Sequence, residues 1–420
     1  MHPAPNVHPA PSTQHPAPNA AWQRNVYAVT AACFLGFAGF TLVMPFLPLF
    51  IAQLGVTDVG SIAIWTGVSL GITPALTAML APAWGRLGDR YGRKIMVERS
   101  MISFVVLMTA MAFVTRAWHV LAIRIVQGIF AGYGSLSVAM AAESAPRDRM
   151  PSAIGLVQTA QRLGPAVGPV IGGVLAGLVG LRRAFLVTAL LYAIGLAVVW
   201  VMYDDHAVAR RHEIDAEIDI MPGAAKASTG PVTFRSVLAF RNFMLMMGVI
   251  FGLQFVDRSF GPILPLYVEQ IGIAHARVPL VAGVLFSIMA CSGALGHHVC
   301  GKLLQRFPTR LVIVGGAVVA GSGSVLVAGN QVWQLCVAAV LLGLGIGAAM
   351  TASYTAAGSV IPARAHGTGF GVLTSASLIG MASSPLMAGA LGGTSIRAVF
   401  LLNFAVMLIV AGVVRYKMIE

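Results

Sequence analysis

The sequence predicts an all-α integral membrane protein whose twelve transmembrane helices form two six-helix bundles. Three observations carry that: a composition too apolar for water, twelve apolar runs of spanning length, and an internal repeat relating the two halves. Of 420 residues, 57% are hydrophobic and 10% charged, with a mean hydropathy of +0.84. A soluble domain carries about 25–35% charged residues on its surface, so lipid is the expected surrounding. The formal charge of +13 comes from 27 basic and 14 acidic residues. The basic residues lie in short clusters between apolar runs, which suits phospholipid head groups and not nucleic acid.

A hydrocarbon core about 30 Å thick asks about 20 apolar residues of each crossing helix. Such segments lie near 26–50, 62–84, 95–115, 118–141, 152–178, 184–203, 243–268, 278–300, 311–329, 331–356, 367–391 and 396–414. With the N-terminus inside, inner segments hold nineteen Lys and Arg against five outside (Arg116, Arg182, Arg183, Arg277 and Arg397), and Arg124, Arg162 and Arg258 fall within spans. Excess basic residues mark the cytoplasmic side, so both termini are expected there.

Four regions follow: a Pro/His-rich tail at 1–23, a first bundle at 24–203, a cytoplasmic linker at 204–240 and a second bundle at 241–420. The tail repeats His-Pro-Ala-Pro from His2, His8 and His15, has no apolar core of a signal peptide, and is expected to be disordered. The linker is too short to bury a core of its own and is expected to add at most a short surface helix. Cys33, Cys291, Cys300 and Cys336 show no CxxC and no metal-ligand spacing, so they read as packing residues and no metal site is expected.

The repeat is visible residue by residue. Pro45, Pro48, Gln53 and Gly55 recur 217 residues later as Pro262, Pro265, Gln270 and Gly272. An offset of 216 takes Gly85, Leu87 and Arg90 to Gly301, Leu303 and Arg306, and Gly155, Gly164, Pro169 and Gly173 to Gly371, Gly380, Pro385 and Gly389. Six spans per repeat is an even number, so both halves enter the bilayer in the same sense, around an axis along its normal. That geometry predicts a cavity between two bundles that rock to expose it to each side in turn.

Three motifs stand out. The segment Gly85-Arg86-Leu87-Gly88-Asp89-Arg90-Tyr91-Gly92-Arg93-Lys94 reads as a tight cytoplasmic turn allowed by Gly85 and Gly92, with Asp89 placed to meet a helix N-terminus. Arg124, in Arg124-Ile125-Val126-Gln127-Gly128, costs about 2.5–3.5 kcal/mol to insert, so it should face a cavity or partner, or snorkel to the head groups. In span five, Gly155, Gly164, Gly168, Pro169, Gly172 and Gly173 form a small-residue stripe for close helix contact, with Pro169 favouring a bend.

These motifs resemble signatures of the major facilitator superfamily, and the chain looks closest to its twelve-span bacterial drug:proton antiporters. The resemblance implies the major facilitator fold. It implies that Gly85, Asp89, Arg90, Gly92 and Arg93 form a conformational latch, with Asp89 contacting the other half near span eleven. It implies that Arg124 takes part in proton coupling and that the span-five stripe is an antiporter motif, which favours export. The second copy has Gln305 where the first has Asp89, and no Asp or Glu precedes Asp58, so the acidic residue that several such antiporters carry in span one is missing here.

Asp257, deep in span seven, is the expected proton carrier, since desolvation brings a carboxylate toward the range an ion gradient can load. Its partner is left open between the adjacent Arg258 and Arg124 or Arg162 across the cavity. His297 and His298 could also titrate, with an interfacial role preferred over a relay. Phe40, Met44, Gln254, Phe255 and Arg258 are the expected substrate contacts, giving an apolar surface with few polar handles.

The expected function is efflux of drug-like or amphipathic small molecules across the bacterial inner membrane in exchange for protons, by a monomer without a cofactor. A carrier of a small organic anion is the alternative within transport, motivated by Arg124 and Arg162, and a non-transporting receptor or scaffold the alternative outside it. The chain has no HExxH and no phosphate-cradling GxxxxGK, so catalysis and nucleotide-driven pumping are not expected.

Overall fold

The computed structural model describes residues 18–146, 149–205, 242–360 and 366–418, and among them the regular structure is helical throughout. This is what lipid dictates, because backbone N–H and C=O groups have no water to bond and must be satisfied within the segment. The first half comprises α1 (Pro18–Leu42), α2 (Leu47–Gln53), α3 (Val59–Tyr91), α4 (Arg93–Met111), α5 (Ala117–Phe130), α6 (Tyr133–Ser144), α7 (Met150–Val179) and α8 (Leu181–Met202). The second comprises α9 (Phe243–Gln270), α10 (Val278–Leu303), α11 (Thr309–Leu326), α12 (Val332–Val360), α13 (His366–Gly392) and α14 (Ile396–Lys417).

Eleven stretches are long and apolar enough to cross a membrane, α5 and α6 together making one of them. The twelfth crossing is α4, whose first two turns carry Arg93, Lys94, Glu98 and Arg99 while the rest is apolar; it packs against α8, α6 and α5 inside the first bundle. Among the described residues, these eleven stretches and α4 make up the twelve crossings, six in each half. The tail to residue 17 and the linker from 206 to 241 lie outside the described residues.

Two expectations of regularity are corrected. Span four is broken: α5 ends at Phe130, and Gly132 adopts a φ of +125°, in the region that favours glycine. The carbonyls freed at this break are taken by two side chains: Trp84 Nε1 donates to Ile129 O at 2.8 Å and Arg99 Nη2 to Phe130 O at 3.0 Å. The Arg99 guanidinium also lies 3.6 Å from the Trp84 ring centroid, so it is a built-in helix cap more than a free inner-leaflet charge. The Gly85–Gly92 segment, in turn, is not a loop. It continues α3 to Tyr91, because nothing before Gly92 stops the helix, and only Gly92, at φ +94°, turns the chain into α4.

The bundles meet along two seams, α3 with α13 and α7 with α10. One end of the molecule, holding Gly55, Asp58, Gly180 and Gly272, is poor in charge; the other is basic. At the low-charge end the seams are glycine-lined. A Cβ on Gly60 would lie 2.8 Å from Gly393 O, one on Gly71 2.6 Å from Ala382 O, and one on Gly67 would land on Pro385 O. Likewise Gly173 meets the Pro279 carbonyl and Gly283 the Pro169 carbonyl. Backbones this close, with no side chain between, shut the space between the bundles at that end.

Candidate functional site

Between the bundles, on the basic side of those glycine contacts, lies a cavity of about 280 Å³. Its wall brings together Thr41 and Met44 from α1 and the turn after it, Gln161, Arg162, Pro165 and Pro169 from α7, and Gln254, Asp257 and Arg258 from α9. Phe286, Met289 and His297 come from α10, Met350 and Tyr354 from α12, and Ser377 from α13. Most of this lining is apolar and the charge is confined to a few side chains, as in a pocket that takes an amphipathic guest.

Asp257 pairs with its neighbour: Arg258 Nε lies 3.2 Å from Asp257 Oδ2, and both side chains remain partly open to the cavity. The long guanidinium stem overcomes the roughly 100° between successive helix positions. Pro262 helps fix the spot, since it has no N–H to give the Arg258 carbonyl one turn earlier. Arg162, on the opposite wall, donates from Nη1 to His297 Nε2 at 2.9 Å, and His297 Nδ1 lies 2.6 Å from Thr351 Oγ1. His298 is exposed.

The expected assignments divide accordingly. Asp257, Arg258, Arg162, Met44 and Gln254 line one cavity. Phe40 and Phe255 do not: Phe255 is buried against the second bundle, its carbonyl accepting the Ser384 hydroxyl. Nor does Arg124. It is 1% exposed inside the first bundle, with Nη1 donating to Gln127 Oε1 at 3.0 Å, so it neither snorkels nor faces Asp257. Residues that reach the cavity without having been singled out include Thr41, Gln161, Tyr354 and Ser377. The repeat held a signal for them, because an offset of 216 takes Gln161 to Ser377 and 217 takes Thr41 to Arg258.

The span-five stripe has two faces and one outlier. Gly164 and Gly168 pack on α1, where a Cβ would lie 2.7 Å from Ala38 N and 2.5 Å from Ala38 O respectively, and Gly172 meets the Leu42 carbonyl. Gly173 and Pro169 face α10 instead, and a Cβ on Gly155 would point into open space. Of the latch residues, Arg93 pairs with Glu143 of α6 at 2.9 Å and Arg90 lies 5.2 Å from the Tyr91 ring centroid. The side-chain surroundings of Asp89 lie outside the described residues.

The sequence profile described as Major Facilitator Superfamily matches residues 29–328 and, again, 259–418. The chain belongs to the major facilitator superfamily. It is a multi-pass membrane transporter of that superfamily and not an enzyme, and transporters of this type need no cofactor. It is 31% identical over 398 residues to a protein of Serratia proteamaculans (strain 568) named multidrug resistance protein MdtG, covering 94% of this chain and 93% of that one. It is 27% identical over 374 residues to a multi-drug resistance efflux pump PmrA homolog of Lactococcus lactis subsp. lactis (strain IL1403), covering 89% of each. Among solved structures, a bacterial homolog of the human lysosomal transporter Spinster, in an inward-facing and unoccupied conformation, superposes with a TM-score of 0.74 at 16% identity over 94% of this chain and 96% of that one. At that identity the likeness shows the fold alone. The human organic anion transporter MFSD10 gives a TM-score of 0.61 at 17% identity, over 96% of this chain and all of the other.

Proposed function

We propose that this transporter exports drug-like or amphipathic small molecules across the bacterial inner membrane, by exchange for protons and by alternating access, with both termini in the cytoplasm. The observation that carries it is the Asp257–Arg258 pair in a central cavity whose low-charge end is shut by glycine-lined seams. A carboxylate held by one guanidinium in an apolar pocket can give up that partner when a proton arrives, and the pocket's charge then changes by one without any bond chemistry beyond protonation. Met44, Gln254, Met289 and Phe286 supply adaptable apolar contact for varied guests. Arg124, enclosed in the first bundle, acts on coupling only through the packing of that bundle. The multidrug names of the relatives support export of small molecules, and the excess of basic residues at one end supports the orientation.

One observation favours a second reading, the carrier of small organic anions: Arg162 and Arg258 face this cavity against the single carboxylate of Asp257. Proteoliposomes with an imposed pH gradient and a panel of cationic, neutral and anionic amphiphiles distinguish the two. Asp257→Asn should abolish uphill, gradient-driven transport while downhill exchange of at least one compound persists. Gradient-driven transport at the wild-type rate by the Asn variant would remove Asp257 from coupling.

A further inference from the structure

We propose that His297 is a second proton-binding site, and that its protonation unties α7 from α10 on the basic side of the cavity. The inference goes beyond the role given to Asp257 and rests on the alternating-access reading above. It begins with donors and acceptors. A guanidinium has N–H donors and no acceptor, so the 2.9 Å contact from Arg162 Nη1 requires His297 Nε2 to accept. Nε2 therefore carries no proton, and the ring hydrogen sits on Nδ1, which donates to Thr351 Oγ1 at 2.6 Å. Both contacts are satisfied together only by the neutral imidazole in this one tautomer.

A proton added at Nε2 turns the acceptor into a donor facing a donor, and sets an imidazolium against a guanidinium across 2.9 Å. The contact cannot survive that. Its loss matters because Arg162 belongs to the first bundle and His297 to the second. Toward the low-charge end the same seam is closed by backbone against glycine, at Gly173 with Pro279 and Gly283 with Pro169, which no proton can loosen. The tie at Arg162 is polar and reversible, so the two ends of one seam respond differently to proton arrival. Freed from His297, the Arg162 guanidinium is left in the same cavity as Asp257, where it can hold that carboxylate or an anionic group of a substrate.

Every element around His297 bears on the argument. From α7 the facing charge is Arg162; α9 brings Asp257 and Arg258 into the shared cavity; α12 offers Thr351 and the phenol of Tyr354; α13 offers Ser377, which does not titrate. No carboxylate contacts the imidazole among the described residues, so nothing there compensates a positive ring while Arg162 stays in place.

The test uses full-length protein lacking the four native cysteines, with spin labels at Ile95 and Phe307, exposed positions at the basic ends of the two bundles. Wild type should change its interlabel distance distribution between about pH 8 and about pH 3.5, a range wide enough to include the charge change of a histidine that faces a guanidinium. His297→Gln offers a permanent acceptor to Arg162 and a donor to Thr351, and should keep the high-pH distribution throughout. His297→Lys places a permanent cation there and should give the low-pH distribution throughout. Asp257→Asn should leave the shift in place, which separates this site from the other. Nitrogen-15 histidine spectra should show a resonance of the Nδ1-protonated tautomer at high pH that is missing from His297→Gln. A pH shift that persists in both His297 variants, no shift in wild type, or a ring protonated at Nε2 at high pH would each overturn the proposal. If the pattern holds while Asp257→Asn keeps full gradient-driven transport, the Asp257 reading fails and this one stands.

Discussion

The contact between spans one and five occurs twice in this molecule, and the two copies are built differently. In the first half, Gly168 of α7 lies so close to α1 that a Cβ would sit 2.5 Å from the Ala38 carbonyl oxygen. The repeat offsets take Gly168 to Ser384 and Ala38 to Phe255, and there the Ser384 hydroxyl donates to the Phe255 carbonyl. One copy brings backbones together by omitting a side chain; the other joins them through one. The same relation holds one turn further along: Phe40 and Thr41 correspond to Asp257 and Arg258, so the charge pair exists only in the second half. The scaffold is shared between the halves, and the chemistry resides in the few positions where they differ.

The largest effect is expected where the first copy is tightest. Gly168→Leu puts four carbons into space held by Thr41 and Ala38, and overpacking of this kind costs about 1–3 kcal/mol or more. Purified protein should show a lower melting temperature, and cells should lose dye efflux with falling membrane abundance. Gly168→Ser imports the side chain of the second copy, and its Cβ already crowds the Ala38 carbonyl, so it should also destabilise but by less than Leu; equal damage from Ser and Leu would show that the Cβ alone sets the cost.

Gly173→Leu comes next and separates folding from function. Gly173 faces α10 of the other bundle, so each bundle can fold while the low-charge end is held apart. Near-native melting with lost efflux is the expected pair of results, together with new labelling of Thr41→Cys from the low-charge side; retained efflux would show that this seam need not close.

Ser384→Ala tests the second copy alone. Losing one buried hydrogen bond should cost about 0.5–1.5 kcal/mol, read as a modest fall in melting temperature with transport retained. The smallest effect belongs to Asp58, the exposed N-cap of α3, outside both copies of the contact. It accepts the Ser61 N–H at 2.7 Å, and that bond holds its carboxyl below the usual carboxylate range. A lowered folded pKa stabilises above the unfolded value of about 3.9 and is lost as pH falls through the folded one. Wild type and Asp58→Ala should therefore differ slightly at neutral pH and converge in strong acid.

Crossings, repeat and charge bias were all legible in the sequence because length, hydropathy and spacing are one-dimensional. Which face a side chain takes was not. A helix in lipid can be apolar all round, so periodicity gives no direction, and Phe40 and Phe255 looked as good a lining as Met44 and Gln254. Arg124 and Arg162 are both arginines within spans of the first half, yet one is enclosed by its own bundle and the other reaches across to His297. Local backbone geometry misled in the same way: the glycines of the Asp89 segment suggested a turn, whereas the helix runs on until Gly92.

The break in span four turns one crossing into two levers with a shared pivot. Gly132 sets the pivot's angle, and the side chains that fill the gap are borrowed from neighbours, Trp84 from α3 and Arg99 from α4. Lower down, a Cβ on Gly88 of α3 would lie 2.8 Å from Leu136 of α6, so α3 also bears on the second lever. At its other end α3 rides on α13 through Gly60, Gly67 and Gly71. A single 33-residue rod thus meets the opposite bundle at one end and the jointed span at the other, so one helix connects the glycine seam to the break at Gly132.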